Sequence, residues 1–450
     1  MKRFTDLAKE DFDRRQSFSI TDFSISSSPA NENRASLAAL EGKVHAMKLR
    51  ERLTLHPGSD VLEVIRLKSE VEEIRVAKDE EIRQMRITFQ KLTERYKADI
   101  FEKDQQMRKM HNELVDMKGQ IRVAVRVRKW EPAVEQGEQI QEPLNVDVEG
   151  ATIRCENRGI DYRFEHVFGS TMTQETVFEQ VHELILSVLH GYNVCLIAYG
   201  PTGSGKTFTM RGGDSTPELE GVIPRAIRFL LDHSSQHLAS IGWEFRFAAS
   251  YLEVYNEEVF DLLDQRKKCD VKGGASSSTT NVVGLKKLPV NSIDDTQILM
   301  DLADSYRSTA STNCNSQSSR SHAIFQIHVD GIHAKIGAIV KCCLNLVDLA
   351  GSERAKESGA QGARFTELTN INQSLSTLKK CIRAQMTKSA HVPFRESKLT
   401  ILLKTYLGGG SSKTMFIAHL NPNDAAETRR TLEFTKDLRS TNLGRAQVQK

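Results

Sequence analysis

Near the middle of this 450-residue chain, the apolar run Val194–Ala198 gives way to Tyr199-Gly200-Pro201-Thr202-Gly203-Ser204-Gly205-Lys206-Thr207, and helix-compatible sequence follows. Gly200 to Thr207 fits G-x-x-x-x-G-K-[ST], a strand–loop–helix arrangement that wraps a phosphate chain. Gly203 and Gly205 carry no Cβ, so the backbone can turn sharply and aim several N–H groups at one anion. Lys206 supplies a point charge for the outer phosphate oxygens and Thr207 a hydroxyl for Mg²⁺; the helix N-terminus favours negative charge. Such a loop requires an open α/β sheet to hold it.

The surrounding sequence agrees. From Gly119 the period becomes 2, with Ile121, Val123, Val125 and Val127 alternating with Arg122, Ala124, Arg126 and Arg128. Strand-like segments recur at 245–255, 323–330 and 339–347, and helical ones at 176–190, 224–232, 296–306, 366–382 and 427–438. The Gly/Ser/Thr-rich stretch 272–283 reads as a loop. The expected fold class is α/β, one domain with a central, largely parallel sheet. Two polar stretches complete a nucleotide site. Asn315-Ser316-Gln317-Ser318-Ser319-Arg320-Ser321-His322 precedes one strand, and Asp348-Leu349-Ala350-Gly351-Ser352-Glu353 ends another. An Asp at a strand end can hold the shell of Mg²⁺, and a glycine three residues on lets a backbone N–H reach a terminal phosphate.

Ahead of this domain the chain is different. Residues 1–35 are polar and serine-rich, reading as a disordered tail with Ser28-Pro29 near its end. Residues 36–56 suggest a short helix, stopped by His56-Pro57-Gly58. Residues 59–118 contain neither proline nor glycine, and apolar residues recur in steps of 3 and 4: Val64, Leu67, Val71, Ile74; Ile82, Met85, Phe89, Leu92, Tyr96; Ile100, Met107, Met110, Leu114, Met117. That is a coiled-coil seam, with stutters at Lys78 and Ile100. Lys78 and Lys103 on the seam point to a weak or regulated dimer.

Net charge of +3 is too small to argue for nucleic acid, and no base-stacking aromatics interleave with the basic clusters. The seven cysteines form no C-x-x-C pair, which suits a reducing compartment. No apolar run approaches membrane-spanning length and the start has no signal-peptide core, so a soluble intracellular protein is expected.

The phosphate loop, N-x-x-S-S-R-S-H and D-L-A-G-S-E together closely resemble the kinesin motor domain. The resemblance extends through Tyr251–Glu257, Asn370–Leu375 and Val392–Thr400, covering residues 119–445 and leaving 446–450 as a C-terminal tail. It implies a P-loop motor domain with a central mixed sheet flanked by helices. It also implies ATP and Mg²⁺ as ligands, microtubule-stimulated ATPase activity and a place on the cytoplasmic microtubule cytoskeleton, including the spindle. On the matching positions, Gly200, Pro201, Thr202, Gly203, Ser204, Gly205, Lys206 and Thr207 hold the phosphates. Arg126 and Arg128 contact adenine. Ser318 and Ser319 stand by the γ-phosphate and Mg²⁺, Asp348 reaches Mg²⁺ through water, and Gly351 senses the γ-phosphate. Arg320 and Glu353 form an ion pair that closes the two switch loops. Tubulin contacts fall on Arg395 and Lys398, preceded by Arg383 and Lys388, with Arg266, Lys267 and Lys268 as a second cluster. The order of coiled coil, then motor, and Met110–Val123 at the junction resemble C-terminal-motor, minus-end-directed kinesins, which pair as homodimers or heterodimers.

Some positions depart from the family pattern: Pro201 for Gln, Lys129 for Pro, Lys379-Lys380 for a small residue, and Gly119-Gln120 for Gly-Asn. A microtubule crosslinker or end-binding protein with slow turnover is the competing reading, favoured by Pro201 alone. A signalling GTPase would share the phosphate loop, but the chain has no N-K-x-D guanine-reading motif.

Overall fold

Among the described residues of Ile121–Val127, every side chain but one is fully buried, although arginine alternates with valine along the strand. Such burial requires a sheet covered on both faces. The structure, a computed structural model, describes residues 59–117, 121–131, 144–155, 160–213, 216–272, 280–309, 319–334, 336–353, 363–407 and 412–439. The expected N-terminal tail, short helix, neck junction at 118–120 and C-terminal tail lie outside these residues.

Ser59–Met117 is a single helix, α1. Its residues up to Asp99 form one unit, and the chain from Ile100 onward forms another. In the first unit the seam residues Ile82, Met85, Phe89, Leu92 and Tyr96 are exposed, an uncovered apolar stripe on a charged helix.

The second unit then runs β1 (Ile121–Val127), β2 (Leu144–Asp147), β3 (Thr152–Cys155), β4 (Ile160–Arg163) and β5 (His166–Phe168). Next come α2 (Gln174–Leu189), β6 (Asn193–Tyr199), the short α3 (Lys206–Met210) and α4 (Val222–His233). There follow β7 (Trp243–Tyr255), β8 (Glu258–Asp261), β9 (Lys267–Lys272), β10 (Asn281–Val283), β11 (Leu288–Pro289) and α5 (Ile293–Thr309). The chain closes with β12 (His322–His333), β13 (Ile339–Asp348), α6 (Ala363–Met386), α7 (Lys398–Leu407), β14 (Ser412–Leu420) and α8 (Ala425–Arg439).

The main sheet has the order β10-β9-β8-β7-β12-β13-β6-β14-β1-β5, with β11 on β7. It is mixed, as expected. Pairing is parallel from β13 through β6, β14 and β1 to β5, and antiparallel from β13 through β12 and β7 to β10. The site-bearing strands therefore lie in the parallel half, where strand ends face a common crevice.

Strand alternation sends neighbouring residues to opposite faces, and two cores result. Val194, Leu196 and Ala198 of β6 pack with Val181, Leu184 and Val188 of α2, Ile227 of α4 and Leu299 of α5. Cys195, Ile197 and Tyr199 pack on the other face with Leu375 and Leu378 of α6, Leu399 and Leu403 of α7, and Leu432 of α8. The expected helices and strands are present within a few residues of their predicted bounds. The 272–283 loop reading needs one correction: Asn281–Val283 pairs antiparallel with β9. A separate three-stranded sheet, β2-β3-β4, stands apart from the main one.

Candidate active site

The crevice is built at the C-terminal end of β6. Gly200 has φ 153°, and a Cβ there would lie 2.4 Å from the carbonyl oxygen of His419 on the neighbouring β14. Only glycine fits this approach. Gly205, at φ 96°, starts α3 in the left-handed region. Lys206 is buried, and its Nζ donates to the carbonyls of Gly200 (2.9 Å) and Pro201 (2.8 Å). Burial lowers its pKa, against the opposing pull of Asp348 and Glu353. The Ser204 hydroxyl also donates to the Pro201 carbonyl, at 2.8 Å.

Thr207 donates its hydroxyl to Oδ2 of Asp348 at 2.6 Å. Burial pushes the Asp348 carboxyl up, with Lys206 and Thr207 working against that. Its Oδ1 is buried without a hydrogen-bond partner. An orphaned carboxylate oxygen beside a threonine hydroxyl fits the outer shell of a Mg²⁺ ion, which keeps most of its waters and needs no protein cage. Among the described residues no cluster of three or more His, Cys, Asp or Glu could hold a metal outright.

Asp348-Leu349-Ala350-Gly351-Ser352-Glu353 wraps back over the loop. Leu349 N–H donates to Ala198 O (3.2 Å), Ser352 N–H to Gly200 O (3.1 Å) and Gly351 N–H to Ser319 O (3.1 Å). The last bond ties the two polar stretches together. His322 ties them again: its Nδ1 accepts from Ala350 N–H at 3.0 Å. Burial pulls His322 down to about 3, so the ring is neutral and its proton sits on Nε2, facing the Ser374 hydroxyl of α6 at 2.8 Å. Nothing in the local pattern marked His322 for this role beyond its place in the motif.

The expected ion pair between Arg320 and Glu353 is not formed. Arg320 Nη1 donates to Oε2 of Glu367 on α6 at 3.0 Å. Glu353 instead accepts from Thr202, through the backbone N–H at 2.9 Å and the hydroxyl. Each charge has found a nearer donor or acceptor on a third element. Ser319 is described, whereas Ser318 lies outside the described residues.

Arg126 is half-buried, with Nη1 donating to Gln174 (2.7 Å) and Thr209 (2.8 Å), and burial pulls its guanidinium down to about 10. It lies 5.4 Å from the ring centroid of Phe208, a flat, 40 % exposed surface that the sequence reading missed. Arg128 donates to Gly203 O at 2.7 Å, so it steadies the loop from outside.

Past the C-terminal end of α6 along the chain, Arg395 and Lys388 are exposed and Lys398 is half-buried, with its backbone N–H bonded to Glu257 at 2.7 Å. Arg383 and Lys380 are paired with Asp437 and Glu396. Lys379 turns inward, over the rings of Phe434 (5.1 Å) and Tyr199 (5.7 Å), and so leaves that surface. The second basic cluster is compensated: Arg266 pairs with the fully buried Glu253 at 2.8 Å, Lys268 with Glu258 and Lys267 with Asp264.

The kinesin motor domain family matches residues 92–441. The chain belongs to the kinesin family. It is 38% identical over 385 residues to kinesin-like protein KIFC1 of Rattus norvegicus, covering 77% of this chain and 55% of that one. It is 42% identical over 354 residues to kinesin-like protein KIN-14G of Arabidopsis thaliana, covering 76% and 35%. A solved structure, the C-terminal motor and motor homology domain of Kar3Vik1 fused to a synthetic heterodimeric coiled coil, superposes with a TM-score of 0.69 at 32% identity. It covers 84% of this chain and 99% of that one. These likenesses fall in the C-terminal-motor branch. The chain spans between about a third and just over half of the length of these two curated relatives.

The Ser319–His322 stretch belongs to the motif that resembles switch I, Asp348–Glu353 to the one that resembles switch II, and α1 from Ile100 to the segment 59–118 expected to be a coiled-coil stalk and neck. The neck lies against the motor unit through one side. Phe101 meets the His333 ring edge-on, Arg108 donates to Leu189 O at 3.0 Å and lies over Trp243, and Val115 is 2% exposed. Asn112 accepts from the buried Lys413 of β14 at 2.6 Å. Met107, Met110 and Leu114 remain exposed. At 100° per residue the docked and exposed stripes stand roughly 120° apart round the helix.

Proposed function

We propose that this kinesin is an ATP-driven microtubule motor that moves toward the minus end. The observation that carries the reading is the convergence of Lys206, Thr207 and Asp348 at the phosphate loop, with the Gly351 N–H tied to Ser319 O, Glu353 held by Thr202 of the loop and Arg320 held by Glu367. Phosphoryl transfer asks mainly for positioning and charge stabilisation. Lys206, desolvated and held by carbonyls that a phosphate chain can replace, meets the β- and γ-oxygens. Phe208 and Arg126 offer a flat cationic platform for adenine. Thr207 and Asp348 would hold Mg²⁺, which would supply charge neutralisation on the outer phosphates. Gly351 reports the γ-phosphate to switch II. Closure then brings Arg320 to Glu353 and orders the attacking water, with Ser318 and Ser319 beside it.

Arg395, Lys398 and Lys388 form the face for acidic tubulin. The exposed stripe of the neck supports pairing with a second helix, a copy of this chain or a relative, so that one stripe serves the partner and the other the motor. Such a helix acts as a lever, and the neck's resemblance to C-terminal-motor kinesins supplies the direction. The protein then works on the microtubule cytoskeleton of the cytoplasm. Gliding on polarity-marked microtubules tests turnover and direction together: minus-end-directed movement is expected, and fast plus-end gliding refutes the direction.

A further inference from the structure

Both members of the switch ion pair are engaged elsewhere, and the two substitute partners differ in kind. Thr202, which holds Glu353, belongs to the phosphate loop itself. Glu367, which holds Arg320, stands on the second turn of α6, outside the nucleotide crevice. We propose that Glu367 is a positioning residue that withholds Arg320 from Glu353 between turnovers, so that the position of α6 governs how often the switches close. This rests on the ATPase reading above.

The geometry supports it in three respects. The Arg320–Glu367 pair is largely shielded, with side-chain exposures of 16% and 15%, so it is screened far less than a surface pair. The Glu367 carboxylate also lies near the Tyr255 hydroxyl at the end of β7, whose pKa is raised by burial and by that neighbouring charge. Arg320 must leave one carboxylate to reach the other, and the hydrogen bond it gives up involves two charges, the stronger class.

Glu367 and the track face lie at opposite ends of one rigid element. α6 runs for 24 residues, from Glu367 near its start to Arg383 in its last turn, and Lys388 follows. A displacement of α6 caused by an acidic lattice docking at its far end is carried along the helix to Glu367. Loosening that carboxylate from Arg320 raises the frequency of switch closure. Stimulation by microtubules is, on this account, relief of a competing ion pair, and no new catalytic group is added.

The test is steady-state ATP turnover of the full chain, with and without microtubules. Glu367→Gln keeps the size but removes the charge facing Arg320. Turnover without microtubules should rise roughly fivefold, the scale of weakening one charged hydrogen bond. The rate at saturating microtubules and the KM for ATP should stay put, so the stimulation ratio falls. Glu367→Asp, which keeps the charge with a shorter reach, should give a smaller rise, and it carries the test if the amide lowers the melting temperature. A merely structural Glu367 predicts a lower rate at both extremes. Unchanged or reduced microtubule-free turnover in folded variants of an active chain overturns the assignment of Glu367. A wild-type chain that hydrolyses no ATP overturns the ATPase reading, and this proposal with it.

Discussion

Asn112→Ala isolates the joint between neck and motor. The Asn112 side chain is 7% exposed; its amide donates to Arg108 O within the helix at 2.7 Å, and its carbonyl accepts from Lys413 Nζ at 2.6 Å. The first bond matters little, since that carbonyl already serves the helix ladder. The second involves a lysine only 3% exposed. Losing a hydrogen bond to a charged group costs about 1.5–3 kcal/mol. The ammonium keeps the face of Tyr192, 4.1 Å away, which limits the loss. A net weakening of about 1.5–2 kcal/mol shifts the docked-to-undocked ratio of the neck by roughly 10- to 30-fold. Arg122, Arg126, Lys206 and the switches are untouched. ATP turnover should therefore persist while gliding slows several-fold, and neck amides from 108 to 115 should exchange with deuterium faster. A flexible Gly-Ser insert after Lys118 should act in the same direction, because a floppy joint transmits no rotation. Unchanged gliding velocity in the folded Asn112→Ala protein would refute the reasoning.

Lys206→Ala should abolish ATP hydrolysis, because among the described residues no other cation is bonded to the Gly200 and Pro201 carbonyls that Lys206 serves; normal microtubule-stimulated turnover would show that the loop does not hold the phosphates. Glu353→Ala should preserve nucleotide affinity within a few-fold and reduce phosphate release by about 10²-fold or more, since the lost ion pair acts only on closure; a variant that loses affinity but keeps turnover at saturation would contradict the role. Acid should destabilise the fold. His322 and His419 are held near 3 and His190 near 2, chiefly by burial, so the folded state keeps them neutral while the unfolded chain takes up protons below about pH 6.5. More protons on the unfolded chain means that stability rises with pH between about 3 and 6.5 and is lost as pH falls through that window. Urea midpoints across the window check the sign, and a flat profile would reject the burial argument.

The parts of the site that were legible in the sequence are those in which chemistry constrains neighbours along the chain. Gly200 to Thr207 must turn, cradle and start a helix within a few residues, and the pattern says so without help from the rest of the molecule. Asp348 and Gly351 were readable for the same reason, at the end of a buried strand. Partnership across the fold was not. Arg320 was assigned to Glu353 by resemblance, but which of two carboxylates it meets depends on where α6 sits, 47 residues further on. The cluster Arg266-Lys267-Lys268 looked like free positive charge because its neutralising Glu253 belongs to a different strand. Ser412–Leu420 escaped notice as a strand because it is buried throughout, and a strand covered on both faces shows no alternation.

The neck shows the same limit from the other side. Its exposed stripe is apolar and repeats every 3 or 4 residues, so periodicity reveals it. Its motor-facing stripe includes Asp104, Arg108 and Asn112, and no hydrophobic period can reveal a contact made largely of hydrogen bonds and one cation over a tryptophan. The difference suits the two tasks. An apolar seam tolerates sliding and exchange of partner helices, whereas directional bonds to Leu189 O and Lys413 fix one angle between helix and sheet. A lever needs that fixed angle at its base. The polar stripe, silent in the sequence, is therefore the one on which the proposed lever depends.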